Sequence, residues 1–404
     1  VSAPARQRSR DETLLSHAHA HQARYLADLA RLVAVDSGSH NADGVDRVAD
    51  LVGAQLERLG FDVERVPLPP AHGRRVGDAL VGRRKGRLAV ADGGRRILLA
   101  AHLDTVFEDG AAAERPFTVS ECIAHGPGVS DDKGGLVAGL AAVEILNRAG
   151  REDYAELVFL ATPDEEIGSP VSRPVTRRAA EGVHHALALE CARENGDLVI
   201  ARKGVADFRL AVTGRAAHAG IEPERGANAA LAAAHLVIAI QALNGRWDGV
   251  TLNVGVVRAG NRFNIVCPAA ELLVEIRSVT EVGMREAVAA LRALAGRPAV
   301  PGTGAEVHEL ESCPPMEETD ASRRMLARAR DIGARLGLSF GGAATGGVGD
   351  ANTIAGCGVP TLDGLGPVGG ADHTPEEWLD TASVPGRVAL LAELIADLGD
   401  GRRG

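Results

Sequence analysis

Aromatic side chains are scarce in this 404-residue chain, at 3% for Phe, Trp and Tyr together, so a core must rest on Ala, Val and Leu. Cysteine is sparse and scattered, at 122, 191, 267, 313 and 357, without a CxxC pair. That pattern argues against a disulfide framework and a structural zinc ribbon, and it fits inert buried thiols in a reducing, cytoplasmic setting. Long apolar runs are missing as well. Ala227–Leu243 contains Asn228 and His235 and reads as a packed helix, not a membrane span. Val1–Arg10 has three arginines but no apolar run behind them, so it is no secretory signal. The formal charge of −10 argues against a nucleic-acid partner, which would need a concentrated basic face. It still allows an acidic substrate gripped by one or two placed arginines. Lysine is nearly absent: Lys85, Lys133 and Lys203 stand alone among 44 basic residues. A lysine beside a motif is therefore notable, because the two cations differ in geometry and hydration.

The composition that remains, 45% hydrophobic and 24% charged, is that of an ordinary globular protein with core for two or three domains. Helical spacing marks Asp11–Val35 and Asp43–Leu59, the second closed by Gly60. His17 and His21 share a face of the first helix, and without further ligands they read as solvated or capping residues. Phe61–Val66, Ala79–Val81 and Leu88–Val90 are short strand candidates, whereas Ile97–Ala101, Leu157–Ala161 and His184–Leu189 are apolar runs that predict buried strands. Strands alternating with helices imply a doubly wound, mostly parallel α/β layer. After Lys203 the pattern changes. Strands over Val205–Val212, Thr251–Val257, Ala270–Val279 and Ala305–Leu310 flank helices over Ala227–Leu243 and Val282–Leu294. That β-α-β-β-α-β order predicts an inserted ferredoxin-like domain over 204–314, within a catalytic domain of 1–203 and 315–404. Helices over Ala321–Leu336 and Ser383–Leu398 close the chain.

Polar residues gather where the buried strands end. His102 and Asp104 follow the first strand, Glu165 and Glu166 the second, and Glu190 the third. Asp131 and Asp132 lie in a Gly-rich loop, and His373 follows another. In open α/β sheets ligands collect at the carboxyl ends of the strands. Taken singly, Glu165–Glu166 reads equally as an acidic helix start, and His373 as a solvated loop residue. Together they offer the nitrogen and oxygen donors that zinc takes, with a spare carboxylate for general-base work. Two ions about 3.5–4 Å apart can share one carboxylate and one water.

The stretches HLDTV (102–106), GPGVSDDKGG (126–135), TPDEEIGS (162–169), LE (189–190) and GRAAHAG (214–220), with the late His373, resemble a known family. It is that of the dinuclear zinc exopeptidases and amidohydrolases related to carboxypeptidase G, aminoacylase and succinyl-diaminopimelate desuccinylase. The resemblance covers nearly the whole chain. It implies two Zn²⁺ ions, with Co²⁺ or Mn²⁺ able to substitute. Asp131 is implied as the bridging ligand, His102 and Glu190 as ligands of one ion, and Glu166 and His373 as ligands of the other. Glu165 is implied as the general base and Asp104 as the group that orients His102. The Asp131–Asp132 peptide bond is expected to be cis. The insert is implied as a lid and dimerisation domain, making the protein a homodimer. Its His218 would stabilise the developing oxyanion, in its own chain or across the dimer, and Arg277 and Asn264 would hold a substrate carboxylate. For Arg277 a surface salt bridge is the competing reading.

The leading expectation is a zinc-dependent metallopeptidase that cleaves an amide beside a carboxylate-bearing residue of a small peptide, most like a glutamate carboxypeptidase. A deacylase of N-acyl amino acids, of the desuccinylase or acetylornithine type, shares every catalytic residue. A silent binding protein of the same fold would lack a ligand or the base, and this chain has them all. No Lys-Ser/Thr follows Gly341–Gly349, so a P-loop is ruled out. The loops between Gly341 and Asp372 depart from the family pattern, which leaves the exact substrate open.

Overall fold

A computed structural model describes residues 3–403, with side chains described for 14–402. The chain divides into two compact units. The first takes residues up to Ile200, Glu318–Thr345 and the stretch from Gly349 on, and the second takes Ala201–Glu317 with Gly346–Val348.

Six strands form the main sheet of the first unit, in the order Asp62–Val66, Ala79–Lys85, Glu156–Thr162, Arg96–His102, His185–Ala188 and Thr361–Leu362. The last four run parallel, and Ala79–Lys85 is antiparallel to both of its neighbours. Ile97–Ala101 has no polar face because helices cover both sides of the sheet. Ile97, Leu99 and Ala101 pack into one core with the helices Ala3–Val33, Ala42–Arg58, Lys133–Arg148 and Val384–Gly399. Leu98 and Ala100 point the other way, into a second core with Arg173–Ala180 and Asp350–Gly356. The strand register then places the site. His102 lies opposite Thr162, and Ala100 opposite Ala188, so the residues that follow each strand emerge along one edge.

With few aromatics, this core closes through small residues. Helix Lys133–Arg148 turns Gly135 and Gly139 toward the sheet. A Cβ at Gly139 would lie 2.6 Å from Leu189 Cδ1 and 2.8 Å from Phe159 Cε2, and one at Gly135 would overlap Leu189 O and Asp132 Oδ1. Lys133, at the start of the helix, is only 1% exposed. Its Nζ donates to Val35 O at 2.8 Å and to Pro127 O at 3.4 Å, and burial pushes its pKa down to about 8.

The second unit is a four-stranded antiparallel sheet in the order Thr251–Ala259, Ala269–Ser278, Gly204–Thr213 and Gly304–Cys313. Phe208, Leu210, Leu272, Val274 and Ile276 face the helices Ala229–Gln241 and Glu281–Ala295, where Ala233, Leu236, Ala287 and Leu291 complete the core. This is the ferredoxin-like arrangement that the strand spacing predicts.

Several expectations are corrected. Leu88–Val90 is not a strand; a short 3₁₀ turn occupies Val90–Asp92 and ends at Gly93 with φ of 91°. His21 is not solvated. It is buried at 5% exposure, with Nδ1 3.9 Å from Glu144 of helix Lys133–Arg148, because the long first helix packs flat on that element. A small sheet of Gly369–Gly370, Trp378–Asp380, Ile123–His125 and Thr118–Ser120 has no counterpart in the sequence reading. Among the described residues no helix is long and apolar enough to cross a membrane.

The glycine contacts yield a stability test. Gly135→Ala should cost about 1–3 kcal/mol or more, because its Cβ meets backbone that cannot move aside. An unchanged denaturation midpoint would show that helix and sheet are less closely packed than described.

Candidate metal centre

Two groups of side chains that could hold a metal ion meet at the carboxyl edge of the main sheet. One is His102, Asp131 and Glu190; the other is Asp131, Glu166 and His373, and in each the donor atoms lie within 4.8 Å of one another. Asp131 belongs to both. Its Oδ1 is 2.8 Å from His102 Nε2, and its Oδ2 is 3.1 Å from His373 Nε2. His373 Nε2 also lies 3.0 Å from Glu166 Oε2, and His102 Nε2 lies 3.8 Å from Glu190 Oε1. The Asp131–Asp132 peptide bond is cis, as the family resemblance implied.

The electrostatics follow from this crowding. Burial pushes Asp131 upward, but hydrogen bonds from His102 and His373 outweigh it and leave the carboxyl well below its ordinary range. Burial lowers His102, yet Asp104 and Asp131 overcome it and hold the imidazole well above its usual value. His373, bonded to Asp131 and Glu166, is raised to about 11. Burial also raises Glu165 well above the ordinary carboxylate range, with Glu190 and Glu166 adding to it against the pull of His102.

Asp104 ties the groups together. It is fully buried and accepts from Ser39 Oγ at 2.6 Å and from the backbone N–H groups of Glu165 and Glu166, both at 3.2 Å. His102 Nδ1 lies 3.0 Å from Asp104 O and 3.3 Å from Oδ1. A proton held on Nδ1 leaves Nε2 free to act as a ligand. Asp350 grips the same loop from below, accepting from Ser169 Oγ at 2.7 Å and from Thr162 Oγ1. His373 is set by backbone geometry: it has φ of 65° and Ala371 φ of 56°, a left-handed conformation that non-glycine residues rarely adopt. Sequence reasoning missed Ser39 and Asp350, which lie outside the motifs that carry the family resemblance.

The residues fit a divalent metal pair. Three carboxylates and two imidazoles form the oxygen and nitrogen set that zinc prefers, and Glu166 Oε1 is buried without a hydrogen-bond partner. Such an orphaned acceptor needs either a proton or a cation.

The remaining predicted residues lie in the second unit. His218 is exposed, with Nδ1 accepting from Gly220 N at 3.2 Å, and it forms an isolated bridge with Ile265. Ala219 N donates to Asn264 O at 3.1 Å, so the His218 and Asn264 segments run side by side. Arg277 is already engaged: Nε and Nη2 reach Glu275 at 2.9 and 3.0 Å, and Nη1 reaches Gly346 O at 2.6 Å. The Nε–Nη2 edge of its guanidinium is thus occupied by Glu275.

A model of peptidase family M20/M25/M40 matches residues 98–397. Carboxypeptidase G2 of Pseudomonas sp. (strain RS-16) is 31% identical over 100% of this chain and 96% of its own length. N-acetyl-L-citrulline deacetylase of Xanthomonas campestris is 28% identical over 73% of this chain and 76% of its own. The crystal structure of aminopeptidase PepT from Bacillus cereus shares the fold, with a TM-score of 0.77 at 24% identity, covering 93% of this chain and 98% of that one.

Metal uptake should release protons, since each histidine must be neutral to ligate. His373 carries its proton up to about 11, well above the ordinary 6.5, so affinity for Zn²⁺ should rise with pH across that interval. Calorimetry in buffers of differing ionisation enthalpy measures this, and uptake without proton release would contradict the assigned ligands.

Proposed function

The chain belongs to peptidase family M20/M25/M40, a family of metal-dependent hydrolases, and on that premise we propose that it cleaves an amide beside a carboxylate-bearing residue. The reading is most like a glutamate carboxypeptidase with two Zn²⁺ ions. The observation that carries it is Asp131, whose two oxygens face the two ligand groups while Glu165 stands on the adjoining loop. His102, Asp131 and Glu190 would hold one ion, and Asp131, Glu166 and His373 the other.

Bound there, the metal ions supply Lewis acidity toward water and the scissile carbonyl. The chain's own residues do the rest. Glu165 takes the proton of the attacking water and passes it to the leaving amine, for which a pKa raised by burial is suited. Asp104 fixes the angle of His102 and the backbone of Glu165 together. We assign residues 1–203 and 315–404 as the catalytic domain and 204–314 as a lid through which two copies pair. His218 would steady the developing oxyanion, and Arg277 with Asn264 would take the substrate carboxylate. Five scattered cysteines without a CxxC pair suit a reducing, cytoplasmic compartment.

A second reading, an N-acyl amino-acid deacylase, has support in the similarity to N-acetyl-L-citrulline deacetylase. Both readings use the same centre. A panel of N-acyl glutamates, dipeptides and N-acetyl or N-succinyl diamino acids separates them, and turnover confined to the acylated diamino acids would overturn the carboxypeptidase reading. Glu165→Gln should bind metal like the wild type and lose about 10²–10⁴-fold in kcat. An unchanged kcat would mean that another group carries the proton.

A further inference from the structure

Glu377 is sealed from solvent at 1% exposure but belongs to neither ligand group. Its Oε1 accepts from Ser130 N at 2.8 Å and from Asp131 N at 2.9 Å, and its Oε2 accepts from Gly128 N at 2.8 Å. Three N–H donors within four consecutive residues therefore converge on one side chain. The last of them belongs to the residue shared by both ligand groups.

The surroundings keep Glu377 in place. Its own carbonyl oxygen is 3.0 Å from His125 Nδ1, and the next residues, Trp378–Asp380, pair antiparallel with Ile123–His125. The segment it grips is held from another side, where Lys133 Nζ reaches Pro127 O at 3.4 Å and Val35 O at 2.8 Å. Gly128 itself has φ of 74°, and a Cβ there would lie 2.6 Å from Thr105 Cγ2, so the loop has little freedom to rearrange. His373 stands four residues before Glu377 in the same loop. One short stretch thus presents a metal-ligating imidazole at its start and clamps the backbone of the shared aspartate at its end.

We propose that Glu377 is a positioning residue that acts through Asp131, fixing the backbone so that the two carboxylate oxygens face the two ligand groups at once. It touches neither substrate nor metal. The inference rests on the metal-centre reading above and adds to it a residue that couples the Asp131 loop to the His373 loop. Fold stabilisation alone would predict something different: lost stability with the metal sites unchanged.

Glu377→Gln separates the two. Glutamine has nearly the same shape but only one acceptor oxygen, so an N–H of Gly128 or of the Ser130–Asp131 pair must face its NH₂. The variant should still fold. Titration with Zn²⁺ alone should show affinity weakened by about 10–100-fold, the usual effect of removing a partner behind a ligand. The visible spectrum of the Co²⁺-loaded protein should shift, and kcat should fall while KM stays within about threefold. Glu377→Ala should repeat the pattern more severely, and if it fails to fold, the glutamine variant alone carries the test. Wild-type metal affinity, cobalt spectrum and kcat in Glu377→Gln would overturn the proposal, whatever the melting temperature does. Wild-type protein that binds no Zn²⁺ would overturn the centre itself, and this role with it.

Discussion

The structure depends on holding three carboxylates against one another. Asp131, Glu166 and Glu190 bring their oxygens into two overlapping groups with His102 and His373, and like charges at that spacing repel unless something fixes them. Three of the five, His102, Glu166 and Asp131, are set from behind by carboxylates outside the two groups. Asp104 binds His102 and the backbone of Glu165 and Glu166, Asp350 pins Thr162 and Ser169 on either side of that loop, and Glu377 binds the backbone leading into Asp131. These outer carboxylates are buried and accept hydrogen bonds from N–H or hydroxyl donors, the arrangement that allows an acidic group to stay inside a protein. On the proposed reading, the side chains of the two candidate groups would thereby be left for a cation.

This outer layer can form because the sheet is flat-packed from both sides. Arg96–His102 has neighbours in parallel register on each edge, so His102, the Glu165 loop and Glu190 leave the sheet side by side. Gly135 and Gly139 let helix Lys133–Arg148 approach Leu189, directly before Glu190. The paucity of aromatics noted in the sequence and the position of Glu190 are thus linked: a helix of small residues packs near enough to fix the loop beside it.

Much of this was legible in the sequence, for identifiable reasons. Ile97–Ala101 and Leu157–Ala161 are apolar runs with no polar face, and Ala186–Leu189 is a shorter one, so their strands and the polar residues after them stand out. The inserted unit was readable because Val205–Val212 and Ala270–Val279 alternate strictly. What was not legible lacks periodicity. Strands such as Ile123–His125 and Trp378–Asp380 are three residues long, too short to carry a pattern. Glu377 sits in a run of loop residues where an acidic pair has no distinguishing signal. His21 looked solvated because the partner that buries it is 123 positions away, at Glu144. Arg277 is the instructive intermediate case. Residues two apart on a strand share a face, so Glu275 was identifiable as its partner from spacing alone.

The same reasoning shows where selectivity must reside. On the proposed reading, two ligand triads with Glu165 as general base would act on the amide and its attacking water, which peptides and N-acyl amino acids have in common. Nothing in His102, Asp131, Glu165, Glu166, Glu190 or His373 can tell one from the other. Discrimination requires polar groups or walls away from the scissile bond, and a buried polar group that the wrong substrate leaves unpaired is the strongest such device. In the first unit two clefts adjoin the centre. One, of about 220 Å³, runs from Glu166 past Ser39, His40 and Arg74. The other, of about 610 Å³, is bounded by Arg193, Glu194 and the small residues Gly369, Gly370 and Ala371. Gly369, Gly370 and Ala371 leave one wall of the second cleft to backbone, while Arg193, Glu194, Asn195 and Asp197 line the rest with polar groups. Both clefts thus present charged and polar side chains away from the scissile bond, the kind of group that separates one substrate from another. A change of substrate within this fold can then proceed through residues that belong to neither candidate ligand group, such as Arg74 or Arg193.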